Sequence, residues 1–238
     1  MREEPVIFES YDLSASGFVR PSAILRRMQE IAGRDLDTSF GISYDDLRAR
    51  NMAFVVSKIA LSLDQPLREQ VRYTIRSGPQ ETHGATFPRS FVIEDEQGVV
   101  ARANSLWALL DFEKRCLLRA SALGDNISSC PDLSDGLACE RLARIKDSKP
   151  DCSDERRVYP SLLDRNCHLN NCNYADLATD LLPKKSGEVR ELHITFQKEA
   201  RLGDVICLNG FSRDDGFLVN GSFRDSEENC FLAKIKMF

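Results

Sequence analysis

One order of elements occurs twice in this chain, and that repetition limits the folds open to it. PSAILRRMQEIAGRDL, residues 21–36, sets Ile24, Leu25, Met28, Ile31, Ala32 and Leu36 on one helical stripe. Pro21 suits the first turn. SYDDLRAR, 43–50, reads as a short helix with Ser43 and Asp46 as its capping pair. Four runs rich in β-branched and aromatic residues follow, at 53–63, 69–78, 89–95 and 99–112, and DEQG at 95–98 turns between the last two. The pattern then restarts. NNCNYADLATDLLP, 170–183, places Tyr174, Leu177, Ala178, Leu181 and Leu182 on a second stripe, with Asn170 or Asn171 as cap and Pro183 as stop. Strands are expected at 188–200, 204–212, 217–225 and 230–238, with turns at 214–216 and 225–229. Each half thus has one helix that a curved antiparallel sheet can wrap, burying the stripe. The fold class is α+β, with the two sheets able to pair as those of a homodimer would. The expected units are 1–120 and 158–238. Between them 121–157, rich in Ser, Asp, Gly and Pro, reads as a polar connector with one short helix near 137–146.

The 238 residues suffice for two such units, and 42% hydrophobic content is ordinary for a globular protein. A net charge of −5 argues against nucleic acid as a partner. MREEPVIFES lacks the apolar run of a signal peptide, and no stretch approaches a membrane helix. The expected location is therefore the cytoplasm. Eight cysteines are scattered without a CxxC pair and only three histidines are present, so no metal is expected and free thiols are favoured over disulfides.

The densest chemistry lies in DRNCHLNNCNY, 164–174, at the entrance to the second helix. Asp and Asn before a helix are usually caps and turn formers. A His, an Asn pair and a Tyr at fixed spacing add more than a cap needs. Cys167 and Cys172 suggest a Cys–His nucleophile, but neighbours in an extended lead-in point opposite ways, and free Cys is commonly a small buried filler.

Asp-x-Asn-x-His-x-Asn-Asn-x-x-Tyr resembles the active-site signature of the acyl-acyl carrier protein (acyl-ACP) thioesterases of plants and bacteria. It stands here as Asp164, Asn166, His168, Asn170, Asn171 and Tyr174. QEIAG (29–33) and ARANSLWALLDFEKR (101–115) resemble the same family. The resemblance implies two tandem hotdog units, the second catalytic and the first forming the acyl-binding cavity. It also implies a catalytic Glu in TFQKEA, carried to Glu199. Plant members follow this Glu with Cys; Ala200 stands here, so no thiol chemistry is implied at that position.

The expected roles follow from thioester chemistry. His168 is a general base or proton shuttle. Glu199 orients a water or takes its proton, and Asn166 positions substrate or water. Asp164 either orients His168 or attacks the carbonyl, two routes that the residues leave open. Backbone N–H groups around Asn170, Asn171 and Tyr174 hold the thioester oxygen. Ile24, Leu25, Met28 and Phe54 are candidate lining for the acyl chain. An acidic acyl carrier protein would be met by local basic residues, with Arg20, Arg26, Arg27, Arg34, Lys184 and Lys185 as candidates. No cofactor is implied, and a monomer or homodimer is expected. The rival functions are hydrolysis of acyl-CoA by the same residues and acyl binding without turnover. A dehydratase is disfavoured for want of an HFP-type histidine segment.

Overall fold

The structure is a computed structural model that describes residues 1–124, 129–133, 137–143, 145, 149–183, 187–226 and 228–238. Its first half runs β1 (Arg2–Ile7), α1 (Pro21–Arg34), α2 (Leu36–Phe40), α3 (Tyr44–Ala49), β2 (Met52–Leu63), β3 (Arg72–Pro79), β4 (Thr86–Asp95), β5 (Gly98–Asp111) and the short β6 (Cys116–Leu118). The second half runs β7 (Cys152–Arg157), α4 (Asn173–Thr179), β8 (Val189–Phe196), β9 (Val205–Arg213), β10 (Gly216–Phe223) and β11 (Asn229–Met237).

All strands join one antiparallel sheet ordered β1-β3-β4-β5-β2-β8-β11-β10-β9-β7, with β6 on β5. The order reads the same from either end once each strand of one half is matched to its counterpart. β2 and β8 form the central seam, where Ile59 faces Ile194 and Ala60 faces His193. The two expected sheets therefore do pair. One core spans the seam and takes Ile24, Leu25 and Met28 from α1 together with Tyr174, Leu177 and Ala178 from α4.

Two strands were not legible as strands. REEPVI and CSDERR carry too few apolar residues to show a buried face, yet β1 pairs with β3 and β7 with β9. Both are outermost strands, where charged residues guard an open edge. Residues 152–157, expected in the connector, thus belong to the sheet. The helix expected near 137–146 is not formed by the described residues there, 137–143 and 145. They cross the outer face of the sheet instead. Asn104 Nδ2 donates to the Leu137 carbonyl, and Glu140 pairs with Lys234 at 3.2 Å. His193 is buried near this crossing, 3.9 Å from both Glu140 and Glu191, and burial pushes its pKa down. Among the described residues no helix is long and apolar enough to cross a membrane.

The halves differ in one insertion. Between α1 and β2 the first half carries α2 and α3; between α4 and β8 the described residues hold no helix. The expected Ser43–Asp46 capping box is present, with Asp46 N–H donating to Ser43 Oγ and Ser43 N–H to Asp46 Oδ2, each at 3.1 Å. The insertion builds a second apolar cluster around Leu36, Phe40, Ile42, Leu47 and Phe87. Phe54 packs into it, 5.5 Å from the Phe40 ring and 5.1 Å from Phe87.

Candidate active site

The lead-in to α4 is a tight turn rather than an extended strand. Asp164 N–H donates to the His168 carbonyl at 2.8 Å, and Cys167 N–H to the Asp164 carbonyl at 3.1 Å. The Asp164 carboxylate staples the turn: its Oδ1 accepts from Asn166 N–H at 2.8 Å and from His168 N–H at 3.1 Å. Cys167 takes a left-handed φ of 63°. For a residue with a Cβ that conformation costs about 1–2 kcal/mol. The same turn occurs in the first half, where Ser14 N–H donates to Phe18, Gly17 N–H to Ser14, and Gly17 has a φ of 82°. Gly17 bears that conformation without strain.

The turn is pinned to the segment after β8. Leu169 N–H donates to the Ala200 carbonyl at 2.8 Å, as Val19 N–H does to Leu67 in the first half. This places Glu199 beside His168, with Oε2 3.1 Å from Nε2. The His168 side chain is 26% exposed and that of Glu199 45%. The matching residues of the first half are Phe18 and Pro66, which can neither carry a proton nor polarise a water. The structure thus brings together Asp164, Asn166, His168 and Glu199, as expected. One expectation needs correction: the strand expected over 188–200 ends at Phe196, so Glu199 lies beyond it. Gln197 and Lys198 both donate to the Cys230 carbonyl, and the chain turns out of the ladder there.

Behind Glu199 stands Tyr174. It is only 3% exposed, with its ring edge-on to Phe196 and Phe231. Its hydroxyl accepts from the buried Ala200 N–H at 3.3 Å. Tyr174 therefore supports the site from the core, and burial drives its pKa up. Tyr174→Phe is expected to leave the Ala200 N–H unsatisfied and cost about 1–3 kcal/mol, read as a lowered unfolding midpoint. Asn170 Oδ1 accepts from Cys172 N–H at 3.0 Å, so Asn170 caps the turn that opens α4. The N–H groups of Asn170, Cys172 and Asn173 are all bonded within the chain. Asn171 N–H has no protein acceptor among the described residues.

Cys172 is buried and its thiol is pushed up to about 12, and Cys230 likewise, so neither is a nucleophile near neutral pH. All eight cysteines are free.

A family model described as the acyl-ACP thioesterase N-terminal domain matches residues 3–128, just over half of the sequence. The chain belongs to the acyl-ACP thioesterase family. It is accordingly a thioester hydrolase. Solved structures agree on the fold along nearly its whole length. The 12:0-ACP thioesterase from Umbellularia californica superposes with a TM-score of 0.85 at 17% identity, covering 99% of this chain and 96% of that one. An acyl-ACP thioesterase from Bacteroides thetaiotaomicron gives 0.82 at 19% identity, with 98% and 96% covered. A putative oleoyl thioesterase from Lactobacillus plantarum gives 0.79 at 17%, with 98% and 94% covered. No curated protein sequence matches the chain. The tandem hotdog arrangement implied by the resemblance is therefore the fold of this hydrolase.

The candidate acyl-lining residues fall in two places. Ile24, Leu25 and Met28 lie fully buried in the main core. Phe54 lies half-buried in the second cluster. That cluster borders the catalytic turn, because Arg165 stacks on Tyr44 of α3 with 3.6 Å from guanidinium carbon to ring centroid. Of the basic residues expected to meet a carrier, Arg27 pairs with Asp12, Arg34 with Glu4 and Glu30, and Arg20 donates to the Tyr11 carbonyl. Arg26 is exposed, and Lys184 and Lys185 lie outside the described residues. A different basic set lies beside Glu199. A cleft of 650 Å³ beginning at Glu199 is lined by Arg115, Lys198, Arg201 and Arg224, with Asp204 and Asp225 between them. Arg115 sits in the β5–β6 turn, at the end of the family-like segment 101–115, and only the fold brings it here.

Proposed function

We propose that this hydrolase cleaves fatty acyl thioesters of acyl carrier protein, releasing free fatty acid and the carrier thiol, in the cytoplasm. The observation that carries the chemistry is the 3.1 Å contact between His168 Nε2 and Glu199 Oε2 beside the Asp164 turn. A carboxylate that holds one imidazole nitrogen fixes the tautomer and stabilises the imidazolium formed when the other nitrogen takes a proton. Nδ1 of His168 then removes a proton from water as that water attacks the thioester carbonyl. The carbonyl oxygen gathers negative charge, and Asn171 N–H, which has no protein acceptor among the described residues, is a donor that can receive it. Collapse expels the thiolate, which takes the proton from His168. Asn166, exposed at the turn, orients the water or the thioester through its amide.

Asp164 acts through the backbone in this reading. Its Oδ1 is engaged by two N–H groups, and its contact with His168 is to the main chain rather than the ring. The acyl tail leaves water on the side of the second apolar cluster, gaining roughly 0.8 kcal/mol per buried CH₂. Free cysteines suit a reducing compartment. Both hotdog units are in one chain, so a monomer suffices.

The carrier arm enters by the cleft at Glu199. Release of thiol from acyl-ACPs of graded length, with matching acyl-CoAs in parallel, tests the reading. Faster turnover on acyl-ACP supports it; preference for acyl-CoA keeps the chemistry and changes the carrier, and no turnover refutes it. Arg115→Glu combined with Arg224→Glu is expected to raise KM for acyl-ACP about tenfold. The same acyl chain on N-acetylcysteamine, which has no acidic carrier, should show little change. An equal loss on both substrates would place the carrier elsewhere.

A further inference from the structure

The catalytic turn is held by its own half, with one exception. The hydrogen bonds and ion pairs of residues 164–168 all close within the second half. Arg165 reaches across to the first half, where its guanidinium carbon lies over the Tyr44 ring, 3.6 Å from the centroid. Among the described residues Arg165 has no ion-pair partner, so the ring is what fixes it. Tyr44 is in turn fixed. It is the first residue of α3, set by the Ser43–Asp46 capping box, and it packs on the cluster that holds Phe40 and Phe54.

The first half supplies an internal control. Its matching turn closes with the same main-chain bonds, yet Ala15 stands where Arg165 does. Arg165 is therefore not required to form the turn. A counterpart of α3 is also missing among the described residues facing that first turn. The long cation and the aromatic that receives it occur together, on the catalytic side alone.

We propose that the Arg165–Tyr44 stack is a positioning contact that ties the catalytic turn to the wall of the acyl site, making Tyr44 and Arg165 determinants of chain-length preference. An acyl tail that seats well among Phe40, Phe54 and Phe87 leaves α3 in place, and the stack holds His168 in register with the thioester. A tail that fits poorly displaces α3 and carries the turn with it. Length is then read in kcat and not only in KM. This inference rests on the hydrolase reading of the Asp164–His168 turn.

The test compares wild type, Tyr44→Ala, Tyr44→Phe and Arg165→Ala on acyl thioesters of graded length. Tyr44→Ala and Arg165→Ala should each lower kcat on the preferred length by about tenfold, with KM little changed and the length profile flattened. Tyr44→Phe, which keeps the ring, should behave as wild type. The double variant Tyr44→Ala/Arg165→Ala should be no worse than either single one. Unchanged kcat and profile, a uniform rise in KM, or a Tyr44→Phe as impaired as Tyr44→Ala would each overturn the proposal. Hydrogen exchange provides a readout independent of turnover: the Asn166 and His168 amides should exchange faster in Tyr44→Ala but not in Tyr44→Phe. Equal protection in all variants would remove the contact's positioning role even if wild type hydrolysed nothing, whereas an inert wild type with the expected exchange would count against the hydrolase reading alone.

Discussion

Asp164→Asn is expected to retain turnover within about tenfold of wild type, while Asp164→Ala loses about 100-fold. The difference follows from what Asp164 does in the turn. An amide oxygen at the Oδ1 position still accepts from Asn166 and His168 N–H, so the turn closes. Alanine leaves both donors without a partner, and His168 loses its place beside Glu199. His168→Ala should cost about 10²–10⁴-fold, the usual contribution of a positioned general base. Glu199→Gln should keep the geometry but remove the charge that stabilises the imidazolium. Steady-state kcat/KM on one acyl-ACP measures all four. If Asp164→Asn is as inactive as Asp164→Ala, the carboxylate itself attacks the carbonyl. A single turnover in ¹⁸O-water then separates the routes, because attack by water puts the label into the fatty acid while protein carboxylates stay unlabelled.

The catalytic turn was legible because its chemistry is local. Asp164, Asn166 and His168 fall within five residues, and the main-chain bonds that shape them come from the same stretch. Glu199 was reached only through family resemblance. The strand expected over 188–200 stops at Phe196, and nothing in TFQKEA signals that the ladder ends there. Tyr174 falls on the apolar stripe of α4, and its burial turns the hydroxyl towards Ala200 N–H. Arg115 and Tyr44 were invisible, because the contacts that give them meaning join segments about 80 and 120 residues apart along the chain.

For the fold, hydrophobic periodicity sufficed wherever an element buries a face. α1, α3 and strands β2 to β5 and β8 to β11 lie close to their expected ranges. It failed at β1 and β7, whose pairing draws on main-chain hydrogen bonds and very little on side-chain burial. It also failed where helix gave way to an unmarked corner. The stripe over 21–36 has the period of one helix, but α1 stops at Arg34 and α2 starts at Leu36. Asp35 stands at that break, and its surroundings explain why the chain turns there.

Asp35 is completely buried and pairs with Arg89, itself 5% exposed, at 2.9 Å. Ser39 Oγ donates to Asp35 Oδ2 at 2.5 Å, and Arg89 Nη1 also donates to Ser77 Oγ at 3.0 Å. The cluster ties the start of α2 to β3 and β4, and so fixes where the insertion bearing Phe40 and Tyr44 leaves the core. Burial pulls the Arg89 pKa down, and Asp35 pulls it back up. Arg89→Met is therefore expected to cost about 3–5 kcal/mol, because it strands a buried carboxylate. In a chain of this size that corresponds to a fall of roughly 6–20 °C in the unfolding midpoint, at about 2–4 °C per kcal/mol. Most of that loss is the penalty of the unpaired charge. Replacing both partners, as in Asp35→Leu/Arg89→Met, should recover much of the stability while loosening the insertion. Thermal unfolding of the single and double variants tests the energetic claim. If the single variant loses less than about 1 kcal/mol, Asp35 is taking up a proton or reaching water, and the pair is not the fixed corner described here. The double variant then isolates the functional link: restored stability with an altered acyl-length profile would show that the ion pair's main effect is on where the acyl site is built, and only secondarily on how firmly the chain folds.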